Sequence, residues 1–369
     1  MTASKVFFSD LRATAKENIF DKLSRLLQET GIDKKVRSRN LVAIKLHFGE
    51  EGTTGFIRPI FIRRIVDRIK ELGGFPFLTD TNTLYRGSRS HSVSHIVTAI
   101  KNGFAYSVVN APIIIADGLR GSSSVKVKIN KEIFKLVDIG KEIIEADVLI
   151  GVAHFKGHEL TGFGGTIKNM GMGCASRHGK LKQHSDLLPK INKKKCIGCS
   201  ECAAYCAQEA ISIKEEKAVI DLERCIGCGE CIIICPNSAI NVQWSRDIPI
   251  LQKKIVEYAF GVLKEKEGRV LFINFLTQIS PLCDCNIYTD APVVPDVGIM
   301  ASTDPVAIDQ ASADMVNQQT VLHGSALKVN TAPGEDKFRG LYPDIDWGFQ
   351  LDYAQKIGLG ARNYELIKI

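Results

Sequence analysis

An α/β domain carrying a small inserted α+β domain is the fold class this sequence predicts, and three observations predict it. Short apolar runs alternate with longer amphipathic stretches in the first half, the pattern of βα units. The same texture returns after residue 243. Between the two, residues 191–243 are cysteine-rich, with short strand-like runs and no long helical period. One discontinuous domain, 1–190 plus 244–369, interrupted by a second at 191–243, explains this with fewer parts than three separate domains. The host is expected to be a mixed or mostly parallel sheet with flanking helices.

The elements follow in order. Lys5–Phe8, Leu41–Leu46, Phe75–Leu78, Ile113–Ala116 and Val148–Val152 read as strands buried on both faces. From Lys16 to Gln28, Ile19, Phe20, Leu23, Leu26 and Leu27 recur at helical spacing, and Gly31 stands where such a helix would end. Pro59 and Gly73 bracket a second helix through Ile65, Val66 and Ile69. After the insert, Ile250–Leu263 reads as a helix and Arg269–Phe275 as a strand. Asp304-Pro305 opens a helix running to Asn317, with Asp304 as its N-cap. Gly324–Trp347 is turn-rich.

Charge and apolar patterning exclude several function classes. Lys and Arg number 48 against 41 Asp and Glu, a net charge of +7, but the charges are interleaved. With only 7% aromatic residues there is no basic stripe studded with stacking rings, so nucleic acid is not an expected partner. Asp10, Arg12, Lys16 and Glu17 interrupt the N-terminal apolar residues, which argues against a signal peptide. The longest apolar runs, Pro112–Ala116 and Val148–Ala153, are strand-length, so no membrane span is expected and the cytoplasm is the expected location.

The eleven cysteines carry the first chemistry. Secreted disulfide scaffolds are short, whereas 369 residues can bury a core without covalent staples, so thiolate ligands are expected instead. KCIGCSECAAYCAQEAISI (195–213) aligns without gaps to RCIGCGECIIICPNSAINV (224–242), each with the spacing C-x₂-C-x₂-C-x₃-C. Three cysteines so spaced can wrap three corners of a cubane, while the fourth ligates the neighbouring cluster in two-cluster ferredoxins. Cys196, Cys199, Cys202 and Cys235 are therefore assigned to one [4Fe–4S] cluster, and Cys225, Cys228, Cys231 and Cys206 to a second. Gly198 and Gly227 allow the backbone to approach closely. The segment resembles a bacterial two-cluster ferredoxin, departing from it where Ala207 replaces the proline that follows the last cysteine, Pro236, in the second run. Paired zinc knuckles are the alternative, but they give no reason for the doubled four-cysteine run.

Ligands of open α/β sheets bind beyond the carboxyl ends of the strands. Here those exits are polar: Lys45, His47 and Glu50 after the first strand of the set, Asp80 through Thr83 with Tyr85, Arg86 and Arg89 after the next, then Asp117, then His154, Lys156 and His158. Asp117 or Thr81 alone reads as a cap; the ensemble reads as one shared cleft. The stretch 154–184 holds four histidines, one cysteine and five basic residues, with Gly162, Gly164 and Gly165 leading into a helix near Ile167. That pattern suggests an anion-binding nest, with Asn169 beside it. It matches neither G-x-G-x-x-G, because Ile167 stands at the third glycine, nor a Walker A loop, because Leu181 follows Lys180. An anionic small molecule is the expected ligand. His154 and His158 are four apart, but Gly157 between them argues against a helical metal pair. The remaining thiols, Cys174, Cys283 and Cys285, are either one further thiol site or inert packing.

The motifs AIKLHFGE (43–50), HFKGHELTGFGGTIKNMGMGCASRHGK (154–180), PLCDC (281–285) and MASTDPVAIDQAS (300–312) resemble the DUF362 family of iron–sulfur centre proteins. The resemblance implies a cytoplasmic iron–sulfur redox protein and names no reaction. The expected function is a ferredoxin-linked oxidoreductase. In it Lys45, His47, Asp80, His154, Lys156, His158 and Lys168 bind the ligand and move protons, and Gly162, Gly164, Gly165 and Asn169 contact a cofactor. Asp309 is a further residue able to face the cleft. The alternative is a non-catalytic electron carrier or a metal- or cluster-handling accessory. Either needs a redox partner protein, for which Lys193, Lys194 and Lys195 offer a docking charge.

Overall fold

Strands apolar on both faces need cover on both sides. That requirement is met in the computed structural model, which describes residues 3–185, 188–242 and 247–369; the expected junction at 243 and 244 lies outside the described residues. The central sheet comprises β1 (Ser4–Asp10), β2 (Leu41–Lys45), β3 (Phe75–Asp80), β4 (Ile113–Ile115), β5 (Val148–His154), β6 (Val270–Leu276), β7 (Gly298–Ser302) and β8 (Tyr364–Lys368). Their spatial order is β8-β1-β7-β6-β5-β2-β3-β4. β7 runs antiparallel to both its neighbours and every other pairing is parallel. The sheet is mixed and mostly parallel.

Successive strand residues point to opposite faces, and the core divides accordingly. Ala43, Leu149 and Phe272 enter one apolar cluster, while Val42, Ile44, Ile150 and Ile273 enter the other. The second cluster is covered by α1 (Ile19–Glu29) and α2 (Pro59–Glu71), through Leu23, Leu26 and Leu27 of one and Ile62, Ile65, Val66 and Ile69 of the other. Asn18 caps α1 by accepting from the Phe20 and Asp21 N–H groups, and Asp21 returns the bond to Asn18 N–H. Gly31, just past the end of α1, takes φ +82°, the left-handed geometry that favours glycine. The first cluster is covered by α3 (Thr166–Gly171), α4 (Ile248–Lys264) and α5 (Pro305–Asn317). Asp304 caps α5 from one oxygen, accepting from Val306 and Ala307 N–H at 2.8 and 3.0 Å. Its other oxygen accepts from the Ser4 hydroxyl and Ala361 N–H, so this residue ties the chain's two ends together.

The cysteine-rich insert closes on itself where Lys190–Ile191 pairs with Ile240–Asn241. It contains a hairpin, Ile211–Lys214 with Lys217–Ile220, and two short helices, Glu201–Ala204 and Glu230–Ile234. The sequence repeat is a backbone repeat as well. Positive φ recurs at equivalent places: Gly198 and Gly227, Ser200 and Gly229, Glu209 and Ser238. At Gly198 a Cβ would lie 2.4 Å from the Glu216 carbonyl oxygen, so the loop there requires glycine. Three of its cysteines, Cys196, Cys202 and Cys235, pack with Ile211, Ile232 and Ile240, and with Leu84 and Leu181 of the host.

Three arginines join insert to host, Arg120 among them through Glu230 at 2.8 Å. The buried Arg177 guanidinium donates to Glu230 of the insert and to the Ser90 and Thr83 carbonyls of the host. Arg86 donates to the Cys235 and Pro236 carbonyls at 3.1 and 2.9 Å. Among the described residues no helix is long and apolar enough to cross a membrane.

Candidate functional site

The parallel strands β2, β3 and β5 end at one edge of the sheet, so their exits are neighbours in space. A cleft of about 450 Å³ opens there. Lys45, His47, Asp80, His154, Lys156, His158 and Lys168 all line it, as do Gly164, Gly165 and Asn169. Leu160 and Met172, with Leu251 and Ile255 from α4, supply an apolar wall.

One side of the cleft is an ion network around Asp80. Lys45 Nζ lies 3.0 Å from its carboxylate, Arg89 Nη1 at 3.4 Å and His95 Nε2 at 3.7 Å. Burial alone would raise the Asp80 carboxyl, but Lys45, His95, His47 and Arg89 outweigh it and hold it well below its ordinary range. Lys45 is locked further by Asn169 Oδ1 at 2.8 Å, and Asn169 Nδ2 donates to the Lys45 and Val152 carbonyls. Both Asn169 groups are thereby engaged with the chain itself. Arg89 reaches back to Glu50, whose carboxylate also accepts from Ser88 N–H at 2.6 Å. His47 accepts from Gly49 N–H through Nδ1 at 3.0 Å; burial, reinforced by Arg89, brings it down to about 3, so it is neutral. Lys180, on the same wall, is brought down to about 8 by burial, with Asp117 and Asp80 opposing.

The other side is built on the loop Pro281–Asn286. A turn closed by Asn286 N–H on the Cys283 carbonyl (3.0 Å) folds the chain around Asp284. Asp284 accepts from His154 Nδ1 at 2.9 Å and pairs with Lys156 Nζ at 3.2 Å. Burial would raise this carboxyl; His154 and Lys156 hold it well below its ordinary range. The second nitrogen of His154 faces the Thr277 and Gln278 carbonyls at 2.9 and 3.2 Å. His154 lines the cleft, yet with both nitrogens engaged it offers none to a ligand. Cys283 and Cys285 flank Asp284 and both line the cleft. Lys168 Nζ sits 3.5 Å from Cys283 Sγ. Burial would lower the Lys168 ammonium, but the two thiols and Glu159 carry it above its ordinary value.

Several sequence expectations are corrected by this geometry. Gly162 does not line the cleft: at φ +74°, its Cβ would meet Trp347 Cβ at 2.6 Å, so the position serves packing. The expected anion nest ahead of Ile167 is taken by the protein's own carboxylate. Asp309 accepts from Thr166 and Ile167 N–H at 2.7 and 2.8 Å and from Asn274 at 2.9 Å, so it caps α3 rather than facing a ligand. Gly165 is needed for that approach, since a Cβ there would lie 2.4 Å from Asp309 Oδ1. Cys174 is separate from the other two thiols. It does not line the cleft, its charged neighbours are Lys45, Asp80 and Lys180, and burial pushes it up to about 12. The expected three-thiol group is a pair.

Arg89 and Glu50, from the polar strand exits, join the site, and Asp284, Lys180 and His95, which were not among the expected ligand-binding residues, complete it. Only His95 left no trace: it lies within an ordinary helical run, Ser92–Lys101.

In the insert, Cys196, Cys199, Cys202 and Cys235 line one small cavity. Burial raises the Cys202 thiol, and the other three add to the rise. Cys231 is raised by burial first and then by its neighbours, Cys228, Cys225 and Cys206 among them. Backbone N–H groups donate to sulfur at Cys196 (from Ala218, 3.4 Å), Cys206 (from Ala210, 3.3 Å) and Cys235 (from Ala239, 3.2 Å). No cysteine is in a disulfide. Among the described residues no three His, Cys, Asp or Glu side chains converge on a single-ion site.

Fold and site together define an α/β protein with a charged cleft at its strand ends, joined to a duplicated cysteine-rich insert. The chain belongs to the DUF362 family: the model of this family, described as a domain of unknown function, matches residues 42–314, insert included. No curated protein matches it significantly. Among solved structures it is similar to the lactate racemase apoprotein from Thermoanaerobacterium thermosaccharolyticum, at 13% identity and a TM-score of 0.44 over 85% of this chain. It is similar also to a protein from Thermotoga maritima, at 9% identity and a TM-score of 0.39 over 92% of this chain. The chain spans 58% of the length of each.

Proposed function

We propose that this protein is an iron–sulfur oxidoreductase that passes electrons through its insert to a ligand held in the cleft. The observation that carries this reading is the loop Leu84–Arg86. Leu84 packs among the buried cysteines of the insert and also lines the cleft. Arg86 holds the carbonyl of Cys235, while the adjacent Tyr85 places its hydroxyl 3.4 Å from the carbonyl of Cys285. A single short segment therefore touches both a cluster-type cysteine and the cleft.

The donor set of the insert fits two [4Fe–4S] clusters. The two quartets are all-thiolate, backbone N–H groups already point at three of the sulfurs, and the quartets are interleaved as in two-cluster ferredoxins. A cubane spreads its ligands over four irons, so its cysteines need not converge as the ligands of one zinc ion do. When bound, such clusters supply one-electron transfer. The chain's own part is to bind the ligand and manage protons. Lys168 presents a fixed positive charge, and Lys180, near 8, can give or take a proton close to neutral pH. Lys45, Asp80, Arg89 and Glu50 form a rigid wall rather than a free acid or base. A carrier without substrate chemistry has no need of a cleft of about 450 Å³ built this way.

The test is iron and acid-labile sulfide analysis of anaerobically prepared protein, with electron paramagnetic resonance after reduction. About eight irons per chain and the signal of reduced cubanes are expected. Zinc in their place, or a folded protein that takes up no iron, overturns the reading.

A further inference from the structure

We infer that Cys283 and Cys285 form a redox-active dithiol that exchanges with small disulfides entering the cleft. This goes beyond the proposed electron path, because it names a reacting pair and a substrate class, and it does not depend on the clusters.

Several features make these two thiols a pair rather than neighbours by chance. The turn Cys283–Asn286 holds them one residue apart on the cleft wall. The residue between them is clamped: Asp284 is bonded through its side chain to His154 and Lys156, and its carbonyl accepts from Glu50 N–H at 3.0 Å. Around Cys283 stand Lys168 at 3.5 Å and His158. His158, beside the sulfur, accepts from Leu160 N–H through Nδ1 at 3.2 Å.

The charge state follows from this setting. The neighbours Cys285, Lys168, His158 and Lys156 outweigh burial and hold Cys283 well below its ordinary value. Cys283 beside it, reinforced by burial, drives Cys285 up. The Lys168 ammonium at 3.5 Å favours the thiolate at Cys283 over Cys285, the division of labour thiol–disulfide exchange requires. None of these groups is used to hold the insert.

The reaction balances without an external reductant. The Cys283 thiolate attacks one sulfur of the disulfide R–S–S–R; a Cys283–S–S–R bond forms and one R–S⁻ leaves, its negative charge stabilised by Lys168. Cys285 loses its proton, attacks Cys283 Sγ, and expels the second R–S⁻. The pair is oxidised by two electrons to an internal disulfide, and the substrate is reduced to one thiol, which takes the Cys285 proton, and one thiolate, which is protonated from solvent.

The experiment uses the full chain, prepared anaerobically and equilibrated with graded ratios of reduced and oxidised dithiothreitol. It is then alkylated and read by mass at the peptide carrying residues 283 and 285. The expected result is a single transition from doubly alkylated to unalkylated, with the two-electron dependence of a disulfide. Cys285→Ser is expected to trap a stable adduct on Cys283 with 2-hydroxyethyl disulfide, which the native chain resolves. Lys168→Gln is expected to raise the pH at which Cys283 alkylates by about one pH unit. A folded native chain whose two thiols stay alkylated at every ratio overturns the inference, as does oxidation of either thiol independently of the other. Iron content of the same samples reads the cluster assignment separately. Iron-free protein whose thiols cycle keeps this inference and sinks the preceding reading, and iron-loaded protein with inert thiols does the reverse.

Discussion

The host domain and the insert are held together by different physics. The host has two apolar clusters, one on each face of an eight-stranded sheet, roofed by helices up to the 17 residues of α4. The insert has short elements, and three of the residues in its small core are cysteines. Apolar burial contributes roughly 25 cal/mol per Å², so a core the size of the host's sustains a fold on its own and one the size of the insert's does not. The insert's missing stability is expected from bonds to its thiolates, which form only when metal is present.

The sharpest way to break that contrast is to strip the iron of the proposed clusters. Anaerobic chelation, or Cys202→Ser, is expected to unfold residues 188–242 while the sheet persists. Limited proteolysis with mass mapping then shows cuts confined to the insert, and simultaneous digestion of the host would end the distinction. Next in size is the seam. Arg177 is 1% exposed and bonded to Glu230 across the boundary, so Arg177→Met removes that bond and leaves Glu230 with Arg120 alone. A loss of about 2 kcal/mol is expected by urea denaturation, falling on the insert first.

A smaller effect belongs to the host alone. Burial holds His47 and His184 neutral, each down to about 3, against an ordinary value of 6.5. Between those limits the unfolded chain binds more protons than the folded one, so stability is lost as pH falls from about 6.5 toward 3. His47→Gln should make that acid limb shallower by about 1 kcal/mol per pH unit, measured by urea denaturation at pH 5 to 6. The smallest expected effect is that of Arg224→Ala in the insert. Its pair with Glu209 is exposed on both sides, so a change within about 0.5 kcal/mol is expected by the same measurement.

Two lines of the fold were hard to read for one reason. β7 and β8 are short, and β7 is the strand that runs against the rest. GIMAS is bounded by a glycine and small residues and shows no apolar–polar alternation, so it does not stand out as a strand as LVAIK and III do, and nothing local says which way it will lie. The site divides in the same manner. That Lys45, Asp80 and His154 meet at one edge is implied by parallel strands whose polar residues come last. That His154 spends both nitrogens on Asp284 and two carbonyls is not implied, because those partners lie more than 120 positions away.

What the sequence determined by itself is whatever repeats or alternates locally. The doubled four-cysteine run marks the insert, apolar runs mark the strands of both cores, and Asp304-Pro305 marks the start of α5. These are legible because backbone geometry has a fixed period and capping acts within one turn. The tertiary structure alone decided which polar residues are free to work. It filled the glycine-rich approach to α3 with Asp309, packed Gly162 against Trp347, set Cys174 apart, and left Cys283 and Cys285 facing Lys168. The reason is physical: a buried polar group must find partners, and in this fold those partners come from strands and helices that only packing brings together.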